Sequence, residues 1–206
     1  MIGDFRGAAK RLDDIDLPKI GREIGVGEDE IHAILDVETV GTGFDILGRP
    51  KMLFEPHVFY KRLNLKGFTS LLRPAIEVGL AYPKWGTEPY PKDSYPRLKE
   101  AMRLDARTAL ESASWGLGQV MGFNFPLAGY SGVEAMVIDF MADEENQLQG
   151  MISFIKAAGL DRALRSHNWA RFAEGYNGAG FRRNGYDKKL KAAFERWQKI
   201  KDTPYP

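Results

Sequence analysis

The chain has 206 residues, a formal net charge of +1 and 44% hydrophobic residues, which predicts one domain with a substantial core over residues 1–206. The near-neutral charge provides no overall field that would attract nucleic acid. The absence of cysteine excludes disulfides, thiolate catalysis and cysteine-bound metal ions.

The N-terminal residues predict helices and carry no export signal. Helices are expected over residues 4–12 and 18–24, with Asp16 as a candidate cap of the second. The chain starts without an apolar run of signal-peptide length, and no stretch approaches the ~20 apolar residues of a membrane span. We therefore expect synthesis in the cytoplasm, and we interpret residues 1–25 as a helical extension that packs on the domain.

The next predicted helix ends at the most informative residue, Glu38. Ile31, Ile34, Leu35 and Glu38 follow an i, i+3, i+4, i+7 pattern that places them on one helix face. A carboxylate on a buried face loses hydration, which raises its pKa and suits it to donate a proton near neutral pH. Cleavage of a glycosidic bond requires such an acid. The structural alternative for Glu38 is a buried ion pair.

After Glu38 the pattern predicts a β-hairpin and then a helix. Residues 44–47 and 51–55 read as two strands around a Gly-Arg-Pro turn, and Pro56 opens a helix through Leu63. Glycoside hydrolysis usually uses a second carboxylate. We favour Glu55 for this role and hold Asp45 as the alternative. Glu55 could instead cap the following helix or pair with Lys61 or Arg62.

The second half of the chain is predicted to be mostly helical. Residues 64–94, which precede these helices, show no regular pattern and are rich in Gly, Pro and aromatic residues. They are expected to be a long loop. A helix is expected over residues 95–113. Apolar stripes at helical spacing follow around residues 133–141, 148–155 and 190–197, and the first of these is expected to be the central core helix.

Three segments carry a family resemblance when they are read in order. They are Glu38-Thr39, the sequence Ser-Trp-Gly-Leu-Gly-Gln-Val-Met-Gly from Ser114, and Ala-Glu-Gly-Tyr-Asn-Gly from Ala173. Together they resemble the lysozyme superfamily, which includes goose-type lysozymes and lytic transglycosylases. The closer similarity is to the N-acetylmuramidase domain of phage endolysins, over roughly residues 20–200.

The resemblance implies a mainly α-helical, lysozyme-like α+β fold: a helical bundle around a central helix, with a small β-hairpin lobe beside a glycan cleft. It implies cleavage of the β-1,4 bond between N-acetylmuramic acid and N-acetylglucosamine, leading to bacterial lysis. By position, Glu38 corresponds to the catalytic acid and Gln119 to a residue lining the sugar sites. Tyr176 and Asn177 would hydrogen-bond near Glu38 and the acetamido group. Ser114 is expected to support Glu38 or to cap a helix that carries Gln119.

The sequence departs from the family pattern in three places. Thr39 replaces a serine, Gly118 stands where transglycosylases often have methionine, and Gly175 replaces an alanine. Each position stays small or hydroxylated, so the expected fold is unchanged, whereas the resemblance to the transglycosylase branch is weaker. Two alternatives therefore stay open: a lytic transglycosylase that forms 1,6-anhydro products, and a non-catalytic protein that binds peptidoglycan.

The expected partner is the peptidoglycan glycan strand. Residues 182–206 contain eight Lys or Arg and three Asp or Glu, so this basic region could also contact an anionic envelope. His32, His57 and His167 show no metal-ligand spacing, and we expect neither metal nor other cofactor. We expect a monomer without a separate wall-binding module, which reaches the wall after holin-type release.

Overall fold

A computed structural model describes residues 2–38 and 41–204. Most of these residues are helical, and a small sheet lies between the helices. In chain order the elements are α1 (Asp16–Ile24), α2 (Glu28–Glu38), β1 (Met52–Phe54), α3 (Pro56–Leu65), α4 (Thr69–Glu77), α5 (Tyr95–Glu111), β2 (Ala113–Trp115), β3 (Val120–Met121), a 3-10 turn (Gly122–Asn124), α6 (Val133–Ala142), α7 (Glu144–Ala157), α8 (Asp161–Arg165), α9 (Trp169–Asn177), α10 (Phe181–Asn184) and α11 (Tyr186–Trp197).

The hydrophobic core is built largely on α6 and α7, which confirms two of the predicted helices. Their apolar stripes include Met136, Phe140, Leu148 and Met151, all fully buried. α6 packs on α5 and α7, while α2 packs chiefly on α11 and also contacts α1. The last residue of α2, Glu38, is therefore held by a helix that has neighbours on two sides.

The sheet differs from the predicted hairpin. In place of the predicted pairing of residues 44–47 with 51–55, Phe44 forms an isolated bridge with Pro50. β1 pairs instead with β2, antiparallel, with Leu53 opposite Ser114, and β2 continues into β3. The physical reason lies in Asp45, whose carboxylate accepts backbone N–H groups two and four residues further on and curls this segment into a tight turn.

The N-terminal residues contradict the helix predicted over residues 4–12. Phe5 is fully buried and has φ 63°, and Ala9 has φ 48°, so the backbone passes through the left-handed region twice. The amide groups of Ala9 and Lys10 donate to carbonyls at the end of α6. Burial of Phe5 and these tertiary hydrogen bonds have overridden the local helix signal, and α1 is the only helix among the described residues 2–25.

Two further predictions need correction. Asp16 is the first residue of α1 rather than its cap, and its carboxylate accepts the backbone N–H of Asp13. The predicted loop over residues 64–94 contains α4, which includes Pro74. We call the remaining part, residues 78–94, the strap. The strap is anchored by buried residues near both ends, with Ala81 and Tyr82 on one side and Ser94 on the other.

Two buried side chains of α7 hold two loops, the segment that follows Glu38 and the turn between β2 and β3. Glu144 Oε1 accepts the backbone N–H of Gly43 at 2.7 Å, and Gln147 Oε1 accepts that of Leu117 at 2.8 Å. A Cβ on Gly43 would lie 2.0 Å from Gln147 Oε1, and a Cβ on Gly116 would lie 2.7 Å from the same atom. Glycine at both positions lets one glutamine side chain lie against two loops.

Within residues 2–38 and 41–204, no helix combines the length and apolar character needed to cross a membrane. The same residues contain no group of three or more His, Asp or Glu side chains arranged to hold a metal ion.

Candidate active site

Glu38 lies at the C-terminal end of α2 with its carboxylate largely shielded from water. Asn177, the last residue of α9, donates from Nδ2 to Glu38 Oε1 at 2.7 Å. Burial raises the pKa of Glu38, and the hydrogen bond from Asn177 and the positive charge of Lys189 offset this only in part. The arrangement keeps a proton on Glu38 at a higher pH than on an exposed glutamate.

Two tyrosines surround this carboxyl group and stay neutral. Tyr176 is buried beside Glu38, and its hydroxyl donates to the carbonyl of Gly118 at 2.6 Å. Burial, and then the negative charge of Glu38, raise the pKa of Tyr176 and of Tyr186. Tyr176 therefore connects α9 to the turn between β2 and β3, one residue before Gln119.

Glu38 faces a cavity of about 590 Å³, which is large enough for part of a glycan chain. The cavity lies between α2, the turn that follows it, β1 and the start of α5. Residues that line it include Glu38, Asp45, Arg49, Ser94, Tyr95 and Gln119. A proton donor therefore lies at the wall of an open groove.

Gln119 reaches this groove from a β-turn rather than from a helix. It adopts φ 45° in the turn between β2 and β3, and its Nε2 donates to the carbonyl of Gly116 at 2.9 Å. Ser114 lies on β2, where its Oγ donates to Gln119 Oε1 at 2.8 Å. The predicted helix cap at Ser114 is wrong because the segment forms strands; the hydroxyl orients Gln119 instead.

Asp45 shares the cavity with Glu38, but its oxygens serve the turn. Oδ1 accepts the backbone N–H of Leu47 at 2.9 Å and that of Arg49 at 3.0 Å, and Oδ2 accepts from Arg49 Nε at 2.7 Å. A carboxylate with these three donors is well suited to hold a loop and poorly suited to activate water.

Glu55 lies in a second cavity, of about 480 Å³, whose lining includes Asn177, the hydrogen-bond donor to Glu38. Tyr90 donates its hydroxyl to Glu55 Oε2, and His57 Nδ1 lies 3.2 Å from the same oxygen. Glu55 makes no side-chain cap on α3. Arg62, one of the suggested ion-pair partners, binds Glu111 instead. Glu55 is thus held at the groove by a neutral donor.

The sequence-predicted residues fall into three groups. Glu38, Gln119 and Asp45 line the first cavity, and Glu55 and Asn177 line the second. Ser114 and Tyr176 lie behind them and hold Gln119 and its turn. Thr39, which the resemblance places next to Glu38, lies outside the described residues. Sequence reasoning missed Trp85 and Tyr90, although the density of aromatic residues in the strap was a usable signal.

Comparisons with known proteins identify the family of this chain. The profile of the N-acetylmuramidase family matches residues 28–198. The chain belongs to the N-acetylmuramidase family. This muramidase is also similar to the crystal structure of the Burkholderia AP3 phage endolysin, with 35% sequence identity and a TM-score of 0.81 over 93% of this chain and 73% of that chain. None of the curated proteins matches the chain significantly.

The family membership and the structural similarity establish the fold class, the general type of enzyme and the class of substrate. The fold is mainly α-helical and lysozyme-like, with a small antiparallel sheet, as predicted. The protein is a peptidoglycan-degrading enzyme of the phage endolysin type. Its substrate is therefore peptidoglycan, and the groove beside Glu38 is the candidate site for the glycan strand.

Proposed function

We propose that this muramidase hydrolyses the β-1,4 bond between N-acetylmuramic acid and N-acetylglucosamine, with Glu38 as the general acid. The observation that carries the proposal is the shielded Glu38 carboxyl group at the wall of a 590 Å³ groove. Protonation of the leaving oxygen by a carboxylic acid is the step that glycosidic cleavage requires. The raised pKa keeps Glu38 protonated to a higher pH than an exposed glutamate.

The neighbouring side chains support binding and positioning. Asn177 holds one oxygen of Glu38, which leaves the acidic proton to be carried on the other. Gln119, fixed by Ser114, presents its side chain to the groove where a sugar hydroxyl or acetamido group would lie. Tyr176, through Gly118, keeps that turn at a constant distance from α9.

For the second carboxylate, the contacts favour Glu55 over Asp45. Asp45 is occupied by Arg49 and two backbone amides, whereas Glu55 lies in the second cavity with Tyr90 as its hydroxyl donor. In this role Glu55 activates the attacking water or stabilises the positive charge that develops on the sugar ring. The product is then a saccharide with a reducing end.

The test is product analysis of a peptidoglycan digest by mass spectrometry. We expect wild-type protein to release muropeptides with reducing N-acetylmuramic acid ends. Glu38→Gln, which keeps the shape and the Asn177 contact, should lower the rate by about 10²–10⁴ with an unchanged circular dichroism spectrum. Mainly 1,6-anhydro ends would establish a lytic transglycosylase. Retention of peptidoglycan without any release would establish a binding protein.

The biological setting follows from the similarity to a phage endolysin. We propose that the protein is made in the host cytoplasm as a monomer, reaches the wall after holin-type release, and lyses the cell. Its basic C-terminal region would assist by contact with the anionic envelope. Arg182 and Lys188 in this region are exposed, so their charges are available to such a surface.

A further inference from the structure

Trp85 is exposed to solvent at the edge of the cavity that contains Glu55. Its side chain is 63% exposed, whereas Trp115 is fully buried and Trp169 is only 7% exposed. Trp197 stacks on the His32 ring at a centroid distance of 3.6 Å. A large aromatic surface left in water is unfavourable for the isolated protein, so its position at a cavity indicates a binding role.

The same cavity also has polar lining residues and an unused hydrogen-bond acceptor. Asn177 Oδ1 is buried without a partner, although Nδ2 of the same side chain donates to Glu38. Arg183, Asn184 and Tyr186 line the same space. A flat apolar face with polar groups around it suits a pyranose ring, which has C–H groups on its faces and hydroxyl or acetamido groups at its edges.

Trp85 is also held in place relative to the proposed second carboxylate. The hydroxyl of Tyr90 donates to Glu55, and burial followed by this hydrogen bond raises the pKa of Tyr90 well above its ordinary value. The indole of Trp85 lines the same cavity as Tyr90 and Glu55, and it acts in the opposite direction on the Tyr90 pKa. The strap thus joins Trp85 to Glu55 through one neutral tyrosine.

We propose that the second cavity is a sugar-binding subsite in which Trp85 stacks on an N-acetylhexosamine ring of the glycan, next to the ring bound beside Glu38. Asn177 Oδ1 accepts a hydrogen bond from the acetamido N–H or a hydroxyl group of that sugar. The inference rests on the proposed glycosidase function and extends it, because it assigns a specificity-determining residue in the strap that the three family motifs do not contain.

The first experiment measures whether glycan covers the Trp85 ring. A soluble tetrasaccharide of alternating N-acetylglucosamine and N-acetylmuramic acid is titrated into the Glu38→Gln variant, which binds without cleaving, and acrylamide quenching of tryptophan fluorescence is followed. We expect saturating tetrasaccharide to reduce quenching by about half, because a pocket of this kind covers most of its ligand. Adding Trp85→Phe should abolish this protection. Adding Trp197→Phe, outside the groove, should preserve it.

The second experiment separates binding from chemistry in the active enzyme. Trp85→Ala should raise KM for soluble glycan strands about tenfold and change kcat far less, while Trp85→Phe should recover most of the affinity. Because the indole is exposed, both variants should melt at the wild-type temperature. An unchanged KM for Trp85→Ala would overturn the proposal, and so would tetrasaccharide binding seen by calorimetry without any protection of Trp85.

The two proposals fail in different ways. If Glu38→Gln digests peptidoglycan at the wild-type rate, the general-acid function is wrong whatever Trp85 does. If cleavage depends on Glu38 but Trp85 is neither protected nor needed for affinity, the catalytic proposal stands and the subsite is wrong. Absence of tetrasaccharide binding by the Glu38→Gln variant would also overturn the subsite.

Discussion

Two glutamates each end a helix in this muramidase, and their surroundings are opposite. Glu38 at the end of α2 has the neutral amide of Asn177 as its hydrogen-bond donor, whereas Glu111 at the end of α5 lies 2.7 Å from both Arg62 and Lys66. Burial raises the pKa of both carboxyl groups. At Glu111 the hydrogen bonds from Lys66 and Arg62 more than offset it and lower the pKa. One glutamate is therefore prepared to hold a proton and the other to hold a charge.

The comparison shows that a buried carboxylate is not by itself evidence of catalysis. Glu111 is more buried than Glu38 and faces Phe123 and Phe125 across a different cavity, yet its contacts are those of a structural ion cluster. What distinguishes Glu38 is the combination of a neutral donor, a raised pKa and an adjoining groove. Substitutions that change one of these properties can test the distinction.

The largest effect is expected when the comparison is extended to the two candidates for the second carboxylate, Glu55 and Asp45. Glu55→Gln should lower turnover by about 10²–10⁴, whereas Asp45→Asn should lower it by less than about tenfold, because Asp45 serves a turn. The measurement is the initial rate of reducing-sugar release from purified peptidoglycan. The reverse ranking would assign the role to Asp45. Small effects of both substitutions would leave Glu38 as the single required carboxylate among the three. They would favour attack by the muramic 6-hydroxyl group.

The next prediction compares Glu111 and Glu38 by the effect of each glutamine substitution on the free energy of unfolding. Glu111→Gln leaves Arg62 and Lys66 without their carboxylate and should lower the free energy of unfolding by about 3 kcal/mol, at the lower end for buried pairs because the cations keep contact with water. Glu38→Gln should not destabilise the fold at neutral pH. As pH rises from the ordinary glutamate pKa through the raised one, the folded wild type binds more protons than the unfolded chain and loses stability, and the glutamine variant does not.

Denaturant unfolding at pH 4 and pH 7 checks both statements. The free energy of unfolding of the Glu38→Gln variant should increase relative to that of the wild type as pH rises. That of Glu111→Gln should be lowered most at pH values where Glu111 is ionised in the wild type. A Glu38→Gln variant that is as unstable as Glu111→Gln at pH 7 would contradict the proposed difference, since it would mean that the Glu38 charge stabilises the fold.

A smaller effect concerns the donor that faces Glu38. Asn177→Leu removes the hydrogen bond that lowers the Glu38 pKa, so the alkaline limb of the pH–activity profile should move to higher pH while kcat falls about tenfold from lost positioning. Lys189→Gln removes a charge but no hydrogen bond to Glu38, and it should move the limb in the same direction by less. A shift of the limb to lower pH in either variant would be inconsistent with Glu38 as the acid.

The smallest effect is expected at the basic C-terminal region. Arg182→Glu with Lys188→Glu should reduce killing of whole cells about fivefold at low salt and leave digestion of purified wall unchanged. Arg183 and Lys189 are left intact because Arg183 lines the second cavity and Lys189 acts on Glu38. Equal losses in both assays would show that these charges do not serve envelope contact.

Local patterns were sufficient for the helix that carries Glu38. The spacing of Ile31 and Ile34 before Glu38 is a property of eight consecutive residues, and it predicted α2 correctly. The sheet was not predictable in the same way. β1 pairs with β2, far away in sequence, and no local signal in residues 113–115 distinguishes a strand from the end of α5.

The contact between Asn177 and Glu38 was predictable because both residues belong to the motifs that carry the family resemblance. Asn177 was expected near Glu38 from the resemblance, and the structure places its amide there. Trp85 and Tyr90 belong to a long irregular segment, and their positions depend on how the strap reaches Glu55. Such a path is set by anchoring residues at both ends, which a sequence pattern does not reveal.

Gln147 has a consequence for how the enzyme responds to heat. One amide side chain touches the loop after Glu38 and the turn that leads to Gln119, and its Nε2 donates to the carbonyl of Phe140 at 2.8 Å. Loosening α7 would therefore release both walls of the catalytic cleft at once. Gln147→Asn, which shortens the side chain by one methylene, offers a way to make a temperature-sensitive lysin. It would be active at low temperature and inactive at high temperature, and the proposed catalytic side chains would be unchanged.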